Sequence, residues 1–115
     1  MYMKAMLRRE EMIVRKYSQS HGGQGEFLSA SLLDGLESQK FPFMHRDVIG
    51  AGVSIGEHPH DYTEEIYYLA EGRGVLTFDG VGYDMRGGDI SVCGVGHSHG
   101  FRATEDCVMI VVGSK

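Results

Sequence analysis

The sequence predicts a single all-β domain, a sandwich or barrel of about nine short strands. Three observations predict it. The chain of 115 residues carries 17 glycines, well above an average usage of about 7%, so many positions need tight or left-handed turns. Turn pairs such as Asp34-Gly35 and Asp79-Gly80 recur between short apolar runs. No stretch sustains the apolar period of a long amphipathic helix. A chain of this length forms one domain and buries a core without disulfides.

The elements follow in order. Met1 to Tyr17 mixes Met3, Met6, Leu7, Met12, Ile13 and Val14 with Lys4, Arg8, Arg9, Glu10 and Glu11, and fits neither the helical nor the strand period. With its four methionines it reads equally as an adaptable packing surface or as a loosely docked arm. Ser18 to Gly25 is a polar, glycine-rich loop, in which His21 is expected to be a solvated residue. Phe27 to Leu33 and Lys40 to Ile49 read as strands, the second with Phe41, Phe43 and His45 on one face. Glu65 to Ala70 is rich in β-formers. Glu71-Gly72-Arg73-Gly74 turns the chain, and Val75 to Phe78 pairs through Asp79-Gly80 with Val81 to Met85. Ile90 to Cys93, His97 to Ala103 and Cys107 to Val112 complete the set. No repeat or linker divides the chain. The expected organisation is an N-terminal arm and loop over residues 1–26 and a barrel over residues 27–112.

Charge and cysteine usage narrow the function. The formal net charge is -5, with no basic cluster beyond Arg8-Arg9, which argues against nucleic acid and anionic membrane as partners. No N-terminal apolar run is long enough for a signal sequence or a membrane span. Cys93 and Cys107 sit in apolar runs and read as buried free thiols. The expectation is a reduced, cytoplasmic protein that acts on a small molecule.

The stretch from Gly52 to Gly72 carries the chemistry. His58 and His60 are two apart, so on a strand both imidazoles project from one face and can share an ion. Pro59 between them suits a sheet edge or strand end, because it lacks a ladder donor. A carboxylate follows at Glu64 or Glu65, which have opposite strand parity; both faces carry apolar residues, so parity alone does not choose. His97 and His99 supply two more imidazoles of equal parity. These imidazoles with a carboxylate, and no thiolate, do not suit a closed structural zinc site. They suit one divalent transition metal, whether manganese, iron, nickel, cobalt or zinc. An octahedral ion held by four protein donors keeps two positions for a carboxylate, 2-oxo acid, enediol or sugar acid. A catalytic acid or base beside those positions would come from Glu64, Tyr67, Tyr68, Tyr83, His45 or His97.

These residues resemble a known pattern. Gly52, five residues, His58-Pro59-His60, four residues, Glu65, six residues and Gly72 resemble the first cupin motif. Gly88, five residues, Gly94-Val95-Gly96, two residues and His99 resemble the second. The resemblance implies a jelly-roll barrel, a double-stranded β-helix, with metal ligands His58, His60, Glu65 and His99. It selects Glu65 over Glu64 and His99 over His97 by motif spacing. Gly94 and Ala103 stand where the family usually carries proline and asparagine; neither position ligates metal in the family. The resemblance also implies a homodimer. Cupins include dioxygenases, decarboxylases, isomerases and lyases as well as modules that only bind a ligand, and fold alone does not choose among them.

Overall fold

The computed structural model describes residues 4–115. Ten strands form two antiparallel sheets that close on each other as a jelly roll. In chain order the strands are β1 (Val14–Ser18), β2 (Glu26–Ser31), β3 (Phe43–Ile49), β4 (Ser54–His60), β5 (Glu65–Glu71), β6 (Arg73–Phe78), β7 (Val81–Arg86), β8 (Ile90–Cys93), β9 (His97–Ala103) and β10 (Cys107–Gly113). The larger sheet runs β1-β2-β3-β10-β5-β8 and the smaller runs β4-β9-β6-β7. Short 3-10 turns at Arg9–Glu11 and Ser20–Gly22 are the helical elements among the described residues.

Alternation explains the core. On β10 every second residue (Cys107, Met109 and Val111) is buried, and on β5 Glu65, Tyr67 and Leu69 point inward. Ile49, Phe101 and Met85 meet them from β3, β9 and β7. Cys93 and Cys107 are buried and unbridged. The Asp79-Gly80 turn joins β6 to β7 with φ of 49° and 79°; both values are left-handed, as a two-residue hairpin requires. Gly72, between β5 and β6, has a φ of 97°. A Cβ there would stand 2.4 Å from the Asp106 carbonyl oxygen, so this position excludes side chains.

Three expectations change. Residues 14–18 are not a loose arm: β1 pairs with β2 from Val14↔Ala30 to Ser18↔Glu26 and so belongs to the large sheet. The boundary at residue 26 therefore cuts through a paired hairpin. Met1, Tyr2 and Met3 lie outside the described residues, and with them part of the methionine-rich segment. The strand expected from Lys40 begins at Phe43, and the turn expected over Glu71 to Gly74 contracts to Gly72.

Candidate metal centre

The smaller sheet presents the histidines. β4 is its edge strand, which accommodates Pro59 without a lost ladder bond. Its register against β9 shifts between Ile55 and His58, so that His58 lies opposite His99 and His60 opposite His97. Such an irregularity re-aims the side chains that follow it. Glu65 comes from the other sheet, as the first residue of β5. Its inward parity, shared with buried Tyr67 and Leu69, brings the carboxylate across the barrel mouth.

The donor atoms of His58, His60, Glu65 and His99 all lie within 4.8 Å of one another. From Glu65 Oε1 the Nε2 atoms stand at 2.9 Å (His99), 3.6 Å (His60) and 3.8 Å (His58), and His60 Nε2 is 3.1 Å from His99 Nε2. Neighbouring ligands around an octahedral ion at about 2.1 Å stand about 3 Å apart, so these spacings fit one ion with little movement. Tautomer chemistry agrees. His58 Nδ1 donates to the Gly56 carbonyl at 2.8 Å, which leaves the lone pair of a neutral ring on Nε2, aimed at the carboxylate. Two acceptors then face each other, a pairing that a cation resolves. His99 is fully buried, its ring stacked on Tyr67 at 4.0 Å and 12°. Its Nδ1 has no hydrogen-bond partner among the described residues, so the ring is held by that stack and by whatever meets Nε2.

The electrostatics favour this set without an ion as well. Burial opposes ionisation of Glu65, but His58 and His99 against its oxygens outweigh that and hold its pKa at about 2. Burial lowers the pKa of His60, with Glu65 opposing and the neighbouring imidazoles assisting. Burial also pulls His58 down, but Glu65 and the Gly56 carbonyl more than compensate, and its pKa is raised.

His58, His60 and Glu65 line a cavity of about 550 Å³, while His99 is fully buried. Of the candidate acids and bases, Tyr67 and His45 line this cavity. Burial, followed by the Glu65 charge, raises the Tyr67 pKa well above its ordinary value, so the phenol is a donor and not a base. Glu64 is not brought to the site. It is exposed, and its backbone N–H donates to Ser114 Oγ at 2.8 Å. His97 also turns outward, with Nδ1 2.6 Å from Asp79 Oδ2 and its ring against Phe78. Tyr68 and Tyr83 are exposed.

His21 adds to the sequence reading. It is an exposed residue of its loop, as expected, but its ring also stacks on His58 at 3.7 Å and 15°, and it lines the cavity. The segment around the Ser20–Gly22 turn lies as a strap on β4. The contact is backbone on backbone, because a Cβ on Gly56 would stand 2.0 Å from the His21 carbonyl oxygen. His21 has a φ of 51° and Gln19 a φ of 48°, left-handed values that cost energy in a non-glycine residue and gather at working sites. The sequence signals that bear on it are Gly23 and Gly56, and neither says that the two strands of chain meet.

A two-sheet jelly roll with three imidazoles and a carboxylate at its mouth defines a class, the cupins. The chain belongs to that family: the cupin domain family matches residues 45–113. An oxalate-binding protein of Thermotoga maritima is 31% identical over 100 residues, covering 86% of this chain and 83% of the relative. A crystal structure from the same organism, described as a predicted oxalate decarboxylase, superposes with a TM-score of 0.84 at 28% identity, covering 95% of this chain and 97% of the other. A putative sugar phosphate isomerase from Acidithiobacillus ferrooxidans superposes with a TM-score of 0.71 at 26% identity, covering 78% of this chain and 60% of that one. KdgF from a Halomonas species shares the fold, with a TM-score of 0.79 at 16% identity over 96% and 93% of the two chains.

Proposed function

We propose that this chain is a metal-dependent enzyme acting on a small oxygenated acid, and that His58, His60, Glu65 and His99 hold one divalent ion. The observation that carries the reading is the convergence of these four donors within 4.8 Å, with His58, His60 and Glu65 on the wall of a cavity. A divalent ion there would hold two oxygens of a chelating acid and draw charge from its carbonyl. The chain's own residues do the rest. Glu65 is ionised across the working pH range, as its low pKa requires. Tyr67, protonated and buried, fixes the His99 ring by stacking and supplies an uncharged wall. His21 stacks on the His58 ring at the cavity wall and so restrains its orientation.

The substrate class is a carboxylate that chelates through two oxygens, with oxalate as the simplest member; the two Thermotoga maritima relatives support this choice. The second reading is a module that binds such an acid without converting it, supported by the oxalate-binding relative.

The test is calorimetry with oxalate on metal-free protein and on protein reconstituted with manganese or zinc. Saturable binding only in the metal-loaded form is expected, and equal binding by both forms overturns the reading. Formate and carbon dioxide are then measured after prolonged incubation. In that reaction the carbon–carbon bond breaks, one carbon leaves as carbon dioxide, and the other takes a proton and leaves as formate. Tight binding of oxalate and of other chelating acids with no product from any of them favours the binding module.

A further inference from the structure

The inner face of β3 is polar where a jelly-roll core is ordinarily apolar. His45 and Asp47 share that face with Phe43 and Ile49. Asp47 is 1% exposed, and its Oδ1 lies 2.8 Å from His45 Nδ1. An ionised carboxylate only accepts, so Nδ1 is the donor, and a neutral ring then presents Nε2 as an acceptor. The strand beside it matches: Ser29 lies opposite Asp47, and Ser31 opposite His45. Ser29 is 4% exposed. Burying these groups costs free energy that an aliphatic residue would not, and packing gives no reason for it. His45, Asp47, Ser29 and Ser31 all line the same cavity as the metal cluster.

The sheet sets the distance between the two polar ends. His45 lies opposite Val111, and Val111 opposite Tyr67, whose ring stacks on His99. Two strand spacings separate β3 from β5, about 10 Å between backbones. A two-carbon diacid occupies the open positions of an ion and reaches no further. A cavity of about 550 Å³ falls in the range that takes a larger ligand.

We infer that the β2–β3 end of the cavity is a second subsite, in which His45, aligned by Asp47, accepts a hydrogen bond from a hydroxyl at the far end of the ligand. The inference rests on the chelation reading above and names its substrate class more closely: a hydroxylated acid of about four to six carbons, long enough to bridge the two ends. A hydroxyl fits better than a second carboxylate. The Asp47 charge beside the ring repels an anion, and the Arg15 guanidinium at the rim is already paired with Asp34 at 3.1 Å. Asp47 is a positioning residue, and His45 is the residue that touches the ligand.

The test uses zinc-loaded protein and three probes. Oxalate is a chelating head alone, 2-hydroxyhexanoate adds an apolar tail, and gluconate adds a hydroxylated tail of the same length. Wild-type protein is expected to bind gluconate at least tenfold more tightly than 2-hydroxyhexanoate. His45→Phe abolishes that preference, Asp47→Asn reduces it several-fold, and both keep oxalate affinity within twofold of wild type. A wild type without the preference, or a His45→Phe protein that keeps it, overturns the subsite. If oxalate fails to bind metal-loaded protein, the chelation reading fails by itself. The ring ¹⁵N shifts of His45 on addition of gluconate then decide the subsite: a change at Nε2 supports it, and no change overturns it.

Discussion

Replacing Gly56 by alanine tests the strap that brings His21 to His58 at the candidate metal centre. Gly56 lies in β4, and its backbone is not in the left-handed region, so an alanine is free of backbone strain there. In an ordinary strand the change would stabilise the protein by about 0.5–1 kcal/mol. Here the new methyl would stand 2.0 Å from the His21 carbonyl oxygen and 2.8 Å from its carbonyl carbon. Either the strap lifts or both segments strain. Lifting breaks Gln24 N–H to Ser54 Oγ and Ser54 N–H to the Gln24 carbonyl, each 2.8 Å. At about 1 kcal/mol each, less the alanine gain, the net loss is about 1 kcal/mol. Strain in place raises the loss to about 3 kcal/mol. The melting temperature should fall by about 4–12 °C at about 4 °C per kcal/mol. Gly50→Ala is the control: its Cβ would meet Asp106 Oδ1 at an ordinary 3.8 Å, and melting should stay within about 2 °C of wild type, as for a neutral surface change. Calorimetric melting of metal-free protein gives the stability, and the ring proton shifts of His21 report the stack on His58. A Gly56→Ala protein with wild-type melting and unchanged His21 shifts would refute the seating of the strap on β4.

Other outcomes follow from the same geometry. Glu65→Gln and His99→Ala should each lower metal occupancy sharply when apo protein is reconstituted and analysed by mass spectrometry, whereas Glu64→Gln and His97→Ala should leave it nearly intact; the reverse pattern would mean that the ion sits elsewhere. Acid should strip the ion below about pH 5, as protons compete for the imidazoles. Glu65 is not the sensitive group: its folded-state pKa of about 2 lies below the ordinary 4.5, so its contribution to the metal-free fold is complete above about pH 4.5 and is lost as the pH falls through about 2. Full occupancy at pH 4 would contradict a three-histidine site. The outer face of the large sheet exposes Val48, Tyr68, Ile90 and Val92, an apolar surface that suits a second copy of the chain. Light scattering should give a dimer that Ile90→Lys with Val92→Lys converts to a monomer, and a monomeric wild type would refute the pairing.

Much of this molecule follows from local rules that act without the rest of the fold. Asp79-Gly80 makes a hairpin because both of its residues tolerate positive φ, whatever surrounds them. Strand parity separates Glu64 from Glu65, and motif spacing picks the second; in the fold Glu65 is buried and Glu64 exposed. Parity was less informative on β9, where His97 and His99 share a face at the level of sequence. There the Asp79 carboxylate from the neighbouring hairpin draws His97 outward, while His99 stacks on Tyr67.

The remaining features depend on contacts between segments far apart in the chain. β1 is exposed along its whole length, so no apolar alternation marks it, and only its pairing with β2 makes it a strand. His21 reaches His58 because two glycines more than thirty residues apart, Gly23 and Gly56, allow backbone to lie on backbone. His45 and Asp47 stand in an ordinary strand period that gives their common face but not what it faces. Periodicity and turn chemistry act over a few residues, and so most strands from β2 onward, the tight turns and the faces of the candidate donors are legible in the sequence, with motif spacing choosing among those donors. Which strands become neighbours is decided by burial across the whole barrel, and that alone placed His21 over His58 and turned the His45–Asp47 pair into the cavity.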